Sequence, residues 1–167
     1  MLGIEVHYRG AHPLRRRDWN TEVAEPVFRD AGEYWHRQFR AKHFTEAGAQ
    51  EYGYYQRKGE GLPRGSKGWR RSYTGRKFAR FGHTRPLVYT GEGERLSRMR
   101  DVRATSKRVR VVLPRKFNLK HPKSRIRMRD ELTRISPREE QLIIARADRQ
   151  VHQRLARIKT TETKKLA

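Results

Sequence analysis

The chain of 167 residues has no cysteine, no long apolar run and almost no acid in its middle. Without cysteine there can be no disulfide and no thiolate metal site, which fits a reducing cytosolic origin. No stretch approaches the roughly 20 consecutive apolar residues that a membrane-spanning helix needs. The start, Met1 to Tyr8, lacks the charged-then-apolar layout of a signal peptide. Apolar residues make up 34% of the chain and charged residues 35%, so one modest core is expected. Long polar loops then need a neighbour to order against, as in subunits of large assemblies.

What is abundant is positive charge, and it is unevenly placed. The net charge is +23. Residues Gly61 to Met128 hold 21 Lys and Arg against three acids, Glu92, Glu94 and Asp101. The first 60 residues hold 10 basic and 9 acidic groups, and Arg129 to Ala167 hold 10 and 6. A nearly neutral frame therefore surrounds a cationic middle, whose expected partner is anionic: nucleic acid or acidic protein.

The frame reads as helical. Trp19, Val23, Val27, Ala31, Trp35 and Phe39 recur every four residues, with Phe28 and Tyr34 widening the face. This predicts a helix over 21–43, with Pro26 either in its first turn or kinking it. The aromatic stripe could stack on bases, but helical spacing is what a core face requires. Near the C-terminus, Ser136-Pro137-Arg138-Glu139 places a hydroxyl at the cap, proline at the first helical position and glutamate at the third. Leu142, Ile143, Ala147, Val151, Leu155 and Ile158 then mark a helix to about Lys159, followed by a flexible tail over 160–167. Ile4, Val6 and Tyr8 alternate as a short strand, Leu87 to Tyr89 suggest another, and 98–103 and 108–113 pair as a hairpin around 105–107. The glycine- and tyrosine-rich stretch 48–68 reads as an extended loop, and 115–129 as a basic arm. Residues 1–159 are expected to form a single domain.

Catalytic chemistry finds little support in this pattern, and no enzyme is expected. Gly91-x-Gly93 is followed by Leu96 where a dinucleotide fingerprint needs glycine, and no phosphate loop follows. The histidines, at 7, 12, 36, 43, 83, 121 and 152, include no i, i+4 pair; His36 and His43 are too far apart for one metal. A metal-dependent nuclease would need clustered carboxylates, and the middle offers only Glu92, Glu94 and Asp101. No cofactor and no metal are expected.

The order of pieces does carry a resemblance. A long amphipathic helix is followed by a glycine-rich loop, Trp69, a basic Thr74-Gly75-Arg76-Lys77 step and Pro86-Leu87-Val88-Tyr89-Thr90-Gly91, then Leu96-Ser97, a basic hairpin and a C-terminal helix. This resembles the tailed-phage virion morphogenesis, or tail-completion, family of head–tail joining proteins over about 23–155. Thr90, Gly91 and Leu96 carry the motif. The spacing departs from the family phrase, because Gly93 and Glu94 intervene before Leu96, and the usual strand after the hairpin is replaced by Lys116-Phe117-Asn118-Leu119-Lys120. The resemblance implies a non-enzymatic α+β subunit, two long amphipathic helices packed on a small antiparallel β-sheet with long basic loops. It implies a homo-oligomeric ring in the virion neck or tail, assembled in the host cytoplasm beside portal-side connector and tail-terminator or tail-tube proteins.

The alternative is a nucleic-acid-binding structural protein of ribosomal type, whose arms thread through RNA. Arg70, Arg71, Arg76, Lys77, Arg80 and Arg85 are the candidate contacts to an anionic partner, because they interleave with Trp69, Tyr73, Phe78 and Phe81. That partner is an acidic neighbouring ring or genomic DNA in the channel. Tyr52, Tyr54, Tyr55, Trp69 and Phe117 are the candidate subunit interface, tyrosine being enriched at interfaces; stacking of the three tyrosines on nucleic acid is the alternative.

Overall fold

The computed structural model describes residues 3–4, 18–99, 101–118 and 125–166, with side-chain surroundings between 18 and 158. Along the chain the elements are β1 (Gly3–Ile4), α1 (Glu25–Gln38), α2 (Glu46–Glu51), α3 (Lys67–Arg71), α4 (Tyr73–Phe81), α5 (Glu92–Ser97), β2 (Val102–Ala104), β3 (Val109–Val111), α6 (Met128–Leu132) and α7 (Pro137–Leu166). The fold is α+β, mostly helical, with one small antiparallel sheet. Its residues divide into two compact units. The first comprises Met1–Phe39, Arg100–Val112 and Ile135–Ala167, and the second Arg40–Met99 and Leu113–Arg134.

The first unit is built around α1. The turn before it, Trp19–Ala24, is π-helical, and Glu25 N–H reaches Asn20 C=O. Pro26 explains the widening. It has no N–H for the Glu22 carbonyl, and Arg154 donates to that carbonyl instead at 3.2 Å. Proline thus sits in the first turn of α1, where it is tolerated. Val23 and Val27 are buried against Ala147, with Trp19, Val151, Leu155 and Ile158 around them. One turn on, Arg146 forks onto Asp30 at 2.6 and 2.8 Å and lies over the Tyr34 ring at 4.8 Å.

Another stripe of α1 faces the sheet, whose strand order is β1-β3-β2. The hairpin forms at the expected turn but with shorter strands than 98–103 and 108–113, since 98 and 99 belong to the turn after α5: Val102 opposes Val111, Ala104 opposes Val109, and Thr105 N–H bonds Arg108 C=O at 2.9 Å. Gly32 makes the approach possible. A Cβ there would lie 2.5 Å from a Val109 methyl and 2.9 Å from a Val102 methyl. Phe28 and Trp35 share the stripe with Gly32 by helical spacing and are buried. Of the expected N-terminal strand, Val6 and Tyr8 lie outside the described residues.

The capping box at the start of α7 is reciprocal: Ser136 N–H donates to Glu139 and Glu139 N–H to the Ser136 hydroxyl, both at 3.3 Å. Two expected boundaries are corrected. α1 stops at Gln38 rather than His43, because a 3₁₀ turn, Arg40–Phe44, takes over. α7 runs past Lys159 to Leu166, so most of the expected tail is helical.

The second unit has a core of Phe44, Val88, Phe117 and Leu132, bordered by Leu87, Leu113 and Met128. The expected strand Leu87–Tyr89 is not formed. Leu87 has φ +54°, and that left-handed step bends the chain so that Val88 is buried while Tyr89 faces solvent. A β-ladder needs consecutive extended residues, which this turn denies. The expected loop 48–68 also begins inside a helix, α2, whose cap is the Thr45 hydroxyl receiving Gly48 N–H at 3.0 Å. The basic arm starts as a 3₁₀ turn, Arg115–Asn118; its residues 119–124 lie outside the described residues.

Candidate functional site

The basic helices α3 and α4 are joined through one residue, Ser72. Its hydroxyl accepts from Gly75 N–H at 3.1 Å and donates to Trp69 C=O at 2.6 Å, so it caps one helix while closing the other. Ser66 caps α3 in the same way, accepting from Trp69 N–H at 3.1 Å. The bend is tight: a Cβ on Gly75 would come 2.0 Å from the Trp69 carbonyl oxygen. Trp69 turns inward onto Phe78, ring centres 5.6 Å apart, and Arg64 covers the Phe78 ring at 4.5 Å. Thr74 N–H and hydroxyl both bond the Lys58 carbonyl, at 3.2 and 3.1 Å.

This packing sorts the six expected anion-binding cations. Arg70, Arg71, Arg76 and Arg80 are exposed. Among the described residues no carboxylate lies within ion-pair distance of them. Arg76 folds back only as far as the Ser72 carbonyl, 3.3 Å away. Arg85 is half-buried and engaged, with Glu94 at 2.8 Å and the Phe44 carbonyl at 3.2 Å. Lys77 is corrected outright. It is 5% exposed and donates its ammonium to the carbonyls of Thr84 and Arg85, so it ties down the chain after α4. Burial, with Arg57 and then Arg85 adding to it, pushes the Lys77 pKa down to about 8.

The expected subunit interface is corrected at most of its positions. Trp69 and Phe117 belong to the interior, Phe117 against Phe44 at 6.1 Å. Tyr52 is buried, stacked on His43 with ring centres 3.9 Å apart. Tyr54 places its hydroxyl 2.6 Å from His43 Nδ1. Burial holds the His43 pKa down at about 4, against a weaker upward pull from a backbone hydrogen bond to Glu131. Only Tyr55, 55% exposed, presents itself to solvent.

A buried ion pair that the sequence did not reveal organises this segment. Glu131, 1% exposed, receives Arg57 through two contacts, 2.5 and 3.1 Å, and Tyr55 N–H at 3.1 Å. Arg57 also donates to the Tyr55 carbonyl at 2.6 Å. Arg134 donates to the carbonyls of Tyr52 and Gly53. A cleft of about 690 Å³ opens beside these residues, lined by Glu46, Tyr54, Arg57, Glu60, Trp69 and others.

The Thr90-Gly91 motif is a turn. Gly91 has φ +82°, a conformation that glycine adopts without strain, and it stands at the N-terminal cap of α5. Thr90 is exposed and Leu96 half-buried. The two acids considered for nuclease chemistry are engaged with cations: Glu92 with Lys116, and Glu94 with Arg85 at 2.8 Å. The Lys116 hydrogen bond holds the Glu92 carboxyl below its ordinary pKa. Ser97 is buried and accepts from Arg40 at 2.8 Å. Among the described residues no three His, Asp or Glu converge as a metal site, and no helix is long and apolar enough to cross a membrane.

Two exposed aromatics complete the face: Tyr73, one of the rings that interleave with the cations in sequence, and Tyr89, which no sequence signal singles out. Tyr73 is 42% exposed and Tyr89 is 46% exposed. Tyr89 stands edge-on to Phe81 at 4.6 Å and is close enough to Tyr73 to act electrostatically on its phenol. By helical spacing Tyr73, Arg76 and Arg80 form one stripe of α4. No family model matches the chain, and no curated protein or solved structure matches it either.

Proposed function

We propose that the chain is a structural subunit of a tailed-phage virion, forming a ring at the head–tail junction that joins tail to capsid. The observation that carries this reading is the build of the phrase from Trp69 to Ser97. Its apolar members Trp69 and Val88 are inward anchors, Gly91 makes the turn, and the residues between present Arg70, Arg71, Arg76 and Arg80 outward. An anchored scaffold that carries an outward polar face suits a part whose work is contact with neighbours. The small sheet and the two long helices, α1 and α7, support the same class. In a closed ring each subunit offers two different surfaces to its neighbours. The subunit is non-enzymatic, sits in the virion neck or tail, and meets the portal-side connector and the tail-terminator or tail-tube proteins.

The test is genetic and structural. Deleting the gene from its phage is expected to leave filled heads and finished tails unjoined. The purified chain is expected to form closed rings under negative stain, alone or with its neck partners. Normally joined, infectious particles without the gene would overturn the reading. The unpaired arginines of α3 and α4 favour a second reading, a basic nucleic-acid-binding structural protein of ribosomal type. Cosedimentation with ribosomes, lost on mild ribonuclease treatment, would put it in place of the first.

A further inference from the structure

The face made by Arg70, Arg71, Tyr73, Arg76, Arg80 and Tyr89 belongs wholly to the second unit. We infer that it holds the sugar–phosphate backbone of nucleic acid without reading sequence. The inference stands on this face alone and does not require the ring.

Three observations lead to it. The first is the sign of the charge. Between Glu60 and Glu92 the chain has eight basic residues and not one acid. A protein partner would have to offer a negative patch that matches this face in shape as well as in sign. Glu60 acts on Tyr73 only electrostatically. The four arginines, with no carboxylate at ion-pair distance among the described residues, fit a partner that is negative along its whole length, which is what a phosphate backbone is. A second copy of the chain is a poor source of the counter-charge, because each copy brings a further +23.

The second is where the acids go. In the same unit Glu131 is engaged with Arg57, Glu94 with Arg85 and Glu92 with Lys116. These three carboxylates neutralise other cations, Glu60 accepts from the Arg57 backbone N–H at 2.8 Å, and the four arginines are left exposed. Like charges crowded on one surface repel, so such a surface lowers its free energy when an external polyanion neutralises it.

The third is residue type and rigidity. All four outward cations are arginine, whose planar fork grips two phosphate oxygens at once. Tyr73 and Tyr89 add exposed rings on which unpaired bases stack. The platform is preformed: Ser66 and Ser72 cap its helices, Thr74 is bonded to Lys58, and the buried Lys77 fixes the chain that leads to Tyr89.

The full-length protein is tested by fluorescence anisotropy against random-sequence duplexes and single strands at several salt concentrations. Unrelated sequences should bind alike, with log affinity falling linearly in log salt. The variant with Arg70→Gln, Arg71→Gln, Arg76→Gln and Arg80→Gln should bind at least about tenfold more weakly at low salt, with the slope reduced by about 3 to 4. Its control carries Lys107→Gln, Arg108→Gln, Arg138→Gln and Arg149→Gln, the same change of net charge on exposed residues of the first unit, and should bind almost as the parent does. Tyr73→Leu with Tyr89→Leu should weaken single strands more than duplexes. Absence of binding at low salt would overturn the inference, and so would equal weakening by the two quadruple variants. Polyglutamate bound through the four arginines in preference to nucleic acid would assign the face to an acidic protein instead. Because all these substitutions lie on the surface, circular dichroism matching the parent separates lost binding from lost fold.

Discussion

The two units are nearly equal in length but are held together differently. The first carries 19 basic and 11 acidic residues, the second 22 and 7. In the first, cohesion comes from periodic apolar stripes: Val23 and Val27 meet Ala147, and Gly32 lets α1 settle on Val102 and Val109. The Arg146–Asp30 ion pair there is partly open to solvent. In the second the apolar core is small, and buried polar anchors do more of the work: Arg57 on buried Glu131, Tyr54 on His43, Lys77 on two carbonyls. The more cationic unit is therefore the one whose few acids are placed most carefully. Its stability should respond to charge and pH, and that of the first unit to volume.

The sharpest way to break this contrast is to remove one arginine from each unit. Arg57→Ala strands the Glu131 carboxylate at 1% exposure with only a backbone N–H beside it. Breaking a buried pair from one side costs about 3–5 kcal/mol. Arg146→Ala leaves Asp30 with water within reach, and the loss should be about 1 kcal/mol. Urea unfolding gives the totals, and hydrogen exchange locates the weakened segments, 52–60 and 128–134 in the first case. Equal losses in the two variants would show that the ion pairs do not distinguish the units. The double variant Arg57→Met, Glu131→Leu should recover much of the loss, since an apolar pair of similar volume needs no counter-charge.

A glycine comparison probes volume instead. Gly32→Ala puts a methyl 2.5 Å from a methyl of the fully buried Val109, and overpacking of this kind costs about 1–3 kcal/mol. Gly68→Ala, in α3, meets nothing nearer than a Leu62 methyl at 3.4 Å. Helix propensity should make it neutral or stabilising by up to about 1 kcal/mol. Thermal unfolding of the two variants reads both signs. A stable Gly32→Ala protein would mean that α1 does not depend on a bare backbone at the sheet.

How much was legible follows from the same contrast. The α1 stripe, the turn of the hairpin at 105–107 and the Ser136–Glu139 capping box are local patterns, each complete within a few residues, and all three are present, although α1 and the two strands are shorter than expected. The Arg57–Glu131 pair joins positions 74 apart, and no local pattern announces it. Tyr52 and Tyr54 read as an interface because tyrosine is enriched there, whereas their partner is His43 in the 3₁₀ turn after α1, a contact that no local pattern marks. Within the candidate site, the outward arginines followed from charge alone. Lys77 did not: the inner face of α4 is filled by Thr74, Gly75 and Lys77 rather than apolar residues, so no period marked it as inward. Leu87 reads as strand by composition, and only its left-handed backbone shows otherwise.

The smallest expected effect is a pH dependence confined to the second unit. Buried His43 has a folded pKa near 4 against an ordinary 6.5, and it is surrounded by Tyr52, Tyr54, the Glu131 carbonyl and the Lys42 charge. A group whose folded pKa is depressed takes up its proton more readily when unfolded. Its stabilising contribution is therefore complete above 6.5 and is lost as the pH falls towards 4. Between neutral pH and about pH 5.5 the loss should be about 1 kcal/mol. Hydrogen exchange at the two pH values should show faster opening at 40–56, while α1 and α7 stay nearly unchanged. His83, also held below its ordinary value by burial, adds in the same sense. His43→Phe should flatten most of the dependence, since it removes the titrating group but keeps the stack on Tyr52. A slope that survives in His43→Phe would move the acid sensitivity to carboxylates, and the contrast between the units would then rest on Arg57 and Glu131 alone.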